Sequence, residues 1–139
     1  MKRRKLMKLS DHFDSCEFQC KCGCKTFIHD VRLVSVLEVL REYISEQEGR
    51  PTALIIHSSI RCVRHNIRIG GVPSSRHLPR YHIKQQGAAD FHARGVSVRK
   101  LKKYCRRLWK QKKILTGGLG LYKSWGVHID GSRYRRWKG

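Results

Sequence analysis

Helix-like and strand-like stretches follow one another in this chain without regular strand–helix–strand alternation, and that order limits the fold more than any other feature. Asp30 stands where it can cap a helix starting at Val31. Leu33, Leu37, Leu40 and Ile44 recur at helical spacing, Gly49 stops the pattern, and Pro51 follows as a breaker. Thr52 to His57 reads as a short buried strand, and Ala88 to Phe91 as a second. Ser97 caps a further helix from Val98, with Val98, Leu101, Cys105 and Leu108 on one face. Gly117 to Tyr122 and Val127 to Asp130 read as the last two strands, with Gly131-Ser132 as a turn. This mixture predicts an α+β domain with a small, mostly antiparallel sheet flanked by helices.

Around these elements lie stretches without periodicity. Residues 1–9 read as a basic, flexible lead-in, and residues 10–139 as a single domain. Residues 10–29 are irregular and cysteine-rich. Residues 58–86 read as one long loop, rich in Gly, Pro, Ser, Arg and His, and a loop of that length in a small domain usually carries function. No apolar run approaches the ~18 residues of a membrane span. The N-terminus has the charge of a signal-peptide start, but no apolar segment follows it, so no secretion signal is expected.

The formal net charge of +21 implies a polyanionic partner or surface, or else a solvated basic face. Nucleic acid and an anionic cell envelope are the two obvious polyanions. Nine Lys or Arg fall between Arg99 and Lys113, interleaved with Tyr104 and Trp109, which raises a nucleic-acid-binding module as one alternative. No recognised nucleic-acid motif accompanies them. Four of the six cysteines, Cys16, Cys20, Cys22 and Cys24, lie within nine residues. Without a secretion signal, a disulfide framework is not expected. The C-x-C-x-C run is tighter than the usual C-x2–4-C zinc pairs. Cys20, Cys22 and Cys24, with Cys16 or Cys62, are candidates for a second, structural zinc, with free thiols as the alternative.

Two histidines and one carboxylate, His77, Asp90 and His128, make the open ligand set of a catalytic zinc site. There are eight histidines, so other triples exist. Such a site needs a general base for its water and a cation or donor for the developing oxyanion. Arg61 is the candidate for the second task. Asp130, two residues after His128 on one strand face, is the candidate base or the group that orients the imidazole.

Several ordered motifs resemble the family of zinc D-alanyl-D-alanine carboxypeptidases and phage-endolysin peptidases, related in fold to the hedgehog signalling domain. They run from Leu9 to Trp137. The opening segment spans Leu9-Ser10-Asp11-His12-Phe13 to Cys20-Lys21-Cys22-Gly23-Cys24. Ser58-Ser59-Ile60-Arg61-Cys62 with His65-Asn66 resembles "SGYRC…HN". Gly70 to His77 resembles the "GG…S-x-H" loop, Ala88-Ala89-Asp90 the "A-x-D", and Gly118 to Tyr122, Val127 to Asp130 and Arg136-Trp137 the "GGVGYY…VHVD…RW" end. The resemblance implies zinc ligands at His77, Asp90 and His128 and a substrate-facing Arg61, with Asn66, Ser75 and Tyr122 beside the substrate. It also implies hydrolysis of peptide bonds in bacterial peptidoglycan stems, a phage or bacterial origin, and action on the cell wall after release. Anionic wall polymers become a natural partner for the charge, and no specific nucleic acid is expected.

Two departures stand out. Thirteen positions separate His77 from Asp90, where the family's "H-x-x-G-x-A-x-D" is shorter, so Leu78 to Gln86 contains an insertion. His82 inside it is a rival first ligand. The family's acidic base three positions before the last histidine is replaced by Trp125, which leaves Asp130 as the leading base and an inactive wall-binding protein as a further alternative.

Overall fold

The structure, a computed structural model, describes residues 7–85, 87–111, 117–132 and 135–138. Residues 1–6 of the expected lead-in, and Lys112 and Lys113 of the basic stretch, lie outside the described residues. Helix α1 (Val31–Glu48) begins where Asp30 accepts the Leu33 amide and ends at Gly49, whose left-handed φ of 69° a glycine adopts without strain. Helix α4 (Val98–Lys110) begins where Ser97 accepts the Lys100 amide. Two short helices, α2 (Val63–Arg68) and α3 (Pro79–Ile83), lie between them. A small ribbon joins β1 (Lys8–Ser10) to β2 (Phe13–Asp14).

The main sheet has five strands in the order β3-β4-β6-β5-β7: β3 (Leu54–Ser58), β4 (Ala89–Ala93), β6 (Val127–Asp130), β5 (Gly118–Leu121) and β7 (Arg135–Lys138). Strands β3, β4, β6 and β5 pair antiparallel, whereas β7 pairs parallel with β5. The class is α+β as expected, but the sheet is mixed rather than all antiparallel. The charged β7 carries no alternating apolar pattern, so nothing in its residues announces it.

Strand alternation divides the sheet into two faces. Leu54 and Ile56, Ala89 and Phe91, Leu119 and Leu121, and Val127 and Ile129 join the core with the apolar faces of α1 and α4. The other face carries Asp90 and His92, His128 and Asp130, and Gly118 and Gly120. Core burial therefore fixes which side chains line the opposite face. A one-residue irregularity between Ile56 and Ser58 shifts the pairing so that Ser58 lies opposite Asp90.

Two stretches read as irregular carry regular elements. The 58–86 loop contains α2 and α3, each too short to show a helical period. Lys8 and Leu9, expected in a flexible lead-in, belong to β1, and Leu9 packs against the core. In α4 the buried face includes Tyr104 and Trp109. Tyr104 donates to Glu48 at 2.6 Å and the Trp109 indole to the Gly117 carbonyl at 3.2 Å. Neither ring is presented for stacking on a base, so the aromatic part of the nucleic-acid alternative is taken up by the core, while most basic residues of α4 stay exposed.

Candidate metal centre

Asp90 on β4 and His128 on β6 are direct cross-strand partners, so sheet register alone brings them together. His77 arrives from the loop between α2 and α3. Its backbone is held by the Arg61 amide, which donates to the His77 carbonyl at 2.8 Å, and by the Ser75 hydroxyl, which accepts the His77 amide at 3.3 Å. The structure brings these three together, with ligand atoms all within 4.8 Å of one another. They form a possible metal site.

His82 is not part of it. Its ring is buried, lies 3.2 Å from Asp30, and packs so closely on Gly87 that a Cβ there would sit 2.3 Å from a ring nitrogen. The inserted residues fold as α3 and turn His82 toward the cap of α1, away from Asp90.

Hydrogen bonds define the ring nitrogens. His77 Nδ1 lies 2.7 Å from the Ser59 carbonyl, which can only accept, so Nδ1 carries the proton. The bare Nε2 then faces an Asp90 oxygen at 3.2 Å. Burial lowers the His77 pKa, only partly offset by Asp90, and keeps the ring neutral. Two electron-rich groups thus point at one another across a short gap, which suits a cation.

His128 bridges two carboxylates. Nδ1 lies 2.7 Å from Asp90 and Nε2 2.8 Å from Asp130. Burial works against its charge, but the hydrogen bonds to Asp130 and Asp90 outweigh that and raise its pKa to about 9. Asp130 responds in the opposite sense: burial pushes it up, yet His128 and the Ser132 amide hold it at about 2. Asp90 is driven below the ordinary carboxylate range by His128 and His77, again against burial. With Asp130 fixing Nε2–H, Nδ1 is the nitrogen available to a metal.

Arg61 is half-buried. Burial lowers its pKa, while the nearby Asp90 and Tyr122 favour its charge. Its Nη1 donates to Asn66 Oδ1 at 2.9 Å, and Asn66 Nδ2 donates to the Val72 carbonyl at 3.0 Å. Gly71 is required there, because a Cβ would lie 2.0 Å from Asn66 Oδ1. Asn66 and Ser75, expected beside the substrate, are both buried, and their polar atoms hold Arg61 and His77. Tyr122 is partly exposed and stacks on Trp125 with ring centroids 4.6 Å apart. Trp125 also meets His57 edge-on at 5.7 Å.

Several supporting groups lie in the terminal motif, where the sequence assigns them no role of their own. Trp137 lies 5.1 Å from the His128 ring. Gly118 and Gly120 leave space for the Asp130 carboxylate and the Trp137 indole, which a Cβ would meet at 2.3 and 2.7 Å. Two glycines facing one way on a strand are a readable sign of close approach. Cys16 is exposed and lies outside the thiol cluster. Cys62 takes its place beside Cys20, Cys22 and Cys24, because the β2–α1 connection curls toward the start of α2.

Two neutral or displaceable imidazole nitrogens and one carboxylate match the donor set of a catalytic zinc, and the facing lone pairs of His77 and Asp90 fit such an ion. Among the described residues, no helix is long and apolar enough to cross a membrane. Searches of curated proteins and of solved structures give no significant match. The family model described as Peptidase M15 matches residues 11–130.

Proposed function

The chain belongs to the peptidase M15 family, and on that premise we propose that it is a zinc-dependent peptidase acting on bacterial peptidoglycan stem peptides. Its reaction is that of a D-alanyl-D-alanine carboxypeptidase or of an endolysin-type endopeptidase. The observation that carries the metal reading is the convergence of His77, Asp90 and His128. These three residues would hold the ion. Bound zinc supplies a Lewis acid that lowers the pKa of a bound water and polarises a carbonyl.

The chain's own residues do the rest. The Ser59 carbonyl keeps the His77 proton on Nδ1 and leaves Nε2 bare. Asp130 keeps a proton on His128 Nε2 and turns Nδ1 toward Asp90. Asp130 is spent on His128 and the Ser132 amide, so we assign it to orienting the imidazole rather than to taking a proton from water. Arg61, aligned by Asn66, receives a substrate carboxylate or the developing oxyanion. Tyr122 and Trp125 form an aromatic wall next to it. The net charge of +21 favours contact with anionic wall polymers, which the protein meets after release.

Trp125 favours a second reading, a wall-binding protein that has lost catalysis, because it occupies the position of the expected acid. One experiment separates the two. Purified protein is incubated with peptidoglycan, with and without chelator, and released fragments are identified by mass spectrometry. Chelator-sensitive release supports the peptidase and names the bond cut; binding without fragments supports the second reading. If His77→Ala left both zinc content and lysis intact, the metal reading would fail.

A further inference from the structure

We propose that Cys20, Cys22, Cys24 and Cys62 hold a second, structural zinc ion, and that this ion fixes the turn carrying Arg61. The four sulfurs lie within 4.8 Å of one another, with Cys20–Cys22 at 3.5 Å and Cys22–Cys62 at 3.6 Å. Tetrahedral zinc with bonds of ~2.3 Å sets its sulfurs about 3.8 Å apart, so the group matches a single ion. An iron–sulfur cluster, with the cysteines on different irons, would hold them farther apart.

The local backbone is shaped for this convergence. The Cys20 amide donates to the Thr26 carbonyl at 2.8 Å and closes a loop around the other two cysteines. Gly23, with φ of 97°, and Lys25, with φ of 57°, supply the left-handed bends. An extended C-x-C-x-C would spread its sulfurs along one strand face; this curl gathers them. Cys62 then approaches from the start of α2, 38 positions after Cys24 in the sequence.

The surroundings suit thiolates. The Cys62 amide donates to Cys20 Sγ at 3.4 Å, and the His65 amide to Cys62 Sγ at 3.4 Å. Amide donors stabilise the ionised sulfur that a metal requires. Arg64 and Arg68 line the same small cavity as Cys22, Cys24 and Cys62, and offset the charge of a tetrathiolate site. Cys24 is exposed and Cys22 only partly buried, so core packing does not account for them.

The link to Arg61 is covalent and short. Cys62 follows Arg61, caps α2, and thereby places Asn66, the partner of the Arg61 guanidinium. The zinc site stands by itself; its effect on substrate rests on the peptidase reading.

The test uses the His77→Ala protein, which lacks the other centre. It is expected to keep one equivalent of zinc. Its cobalt-substituted form is expected to show intense sulfur-to-cobalt charge-transfer absorption, and cluster thiols are expected to react only after chelation. Absence of metal, or a disulfide within the cluster by mass spectrometry of unreduced protein, overturns the site. The positioning role is read from Cys24→Ala and Cys24→His on the otherwise native chain. Cys24→Ala is expected to lose the cluster zinc and raise KM several-fold with a smaller change in kcat, and Cys24→His to restore both. An unchanged KM after loss of that zinc overturns the link to Arg61. If no hydrolysis is found in the native protein, zinc content and the cobalt spectrum still decide the site.

Discussion

His128 is held between two carboxylates, and that arrangement has consequences for both metal affinity and pH response. Asp130→Asn keeps the size of the side chain but removes the charge that fixes the His128 proton on Nε2. Zinc affinity at this centre is expected to fall by roughly 10–100-fold, the usual cost of losing a carboxylate behind a metal-binding imidazole, as read by competition with a chelating dye. Retained affinity would mean that Asp130 does not orient His128. In the metal-free protein, the His128 pKa is raised from 6.5 to about 9. The stability it contributes is complete below pH 6.5 and is lost as pH rises through about 9. Asp130 is shifted the other way, from 3.8 to about 2, so its contribution is complete above 3.8 and disappears as pH falls through about 2. The melting temperature of metal-free protein is therefore expected to decline on the alkaline side of pH 6.5. Zinc-loaded protein is expected to lack this decline, because an ion held by His128 would compete with the titrating proton. Parallel melting curves from pH 6 to 10, with and without zinc, check it.

At the scale of elements, the open face of the sheet places His92 two residues from Asp90 on β4, with His57 of β3 bonded to it at 2.5 Å. Burial, His57 and Arg94 lower the His92 pKa, which keeps it neutral and able to accept a proton near pH 7. With Trp125 where an acid was expected, this pair is a proton acceptor on the same sheet face as Asp90 and shares no hydrogen bond with His128. His92→Ala is expected to lower kcat by about 10²–10⁴, the range for loss of a general base, while leaving zinc content unchanged. An unaltered kcat places the base elsewhere.

The same scale shows what the sequence could and could not tell. Helices α1 and α4 were legible because each has a capping side chain and a long apolar period. Strands β3, β4, β5 and β6 were legible as apolar runs between turns, and the candidate trio of His77, Asp90 and His128 as residues of ordered motifs. Helices α2 and α3 were not legible, since five or six residues cannot display a period. The parallel β7 was not, since three of its four residues are charged and show no alternation. His77 was legible over its rival His82 through the Gly70 to His77 motif, whereas the choice of Cys62 over Cys16 depends on how loops curl in three dimensions, and no spacing encodes that.

For the whole molecule, the net charge of +21 spreads over a surface that includes the outward residues of α4, such as Arg99, Lys103, Arg107 and Lys110. Binding to intact peptidoglycan is expected to weaken steeply between about 50 and 500 mM salt, because screening shortens the reach of exposed charges from roughly 14 to 4 Å. Hydrolysis of a short soluble stem peptide is expected to change far less. Sedimentation with sacculi across a salt series, beside peptide assays in the same buffers, checks this. Equal salt sensitivity in the two would locate the effect of charge at the active centre instead of at the wall.

The direct pairing of Asp90 with His128 across β4 and β6 has one more consequence. A slip of one residue in either strand would turn its side chain away and leave Asp90 and His128 on opposite faces of the sheet. A metal would then find no site, so a bound ion would report correct strand alignment. If zinc binds there, chains refolded in its presence are expected to be drawn toward the properly aligned form by mass action, read as a higher refolding yield with zinc than with chelator.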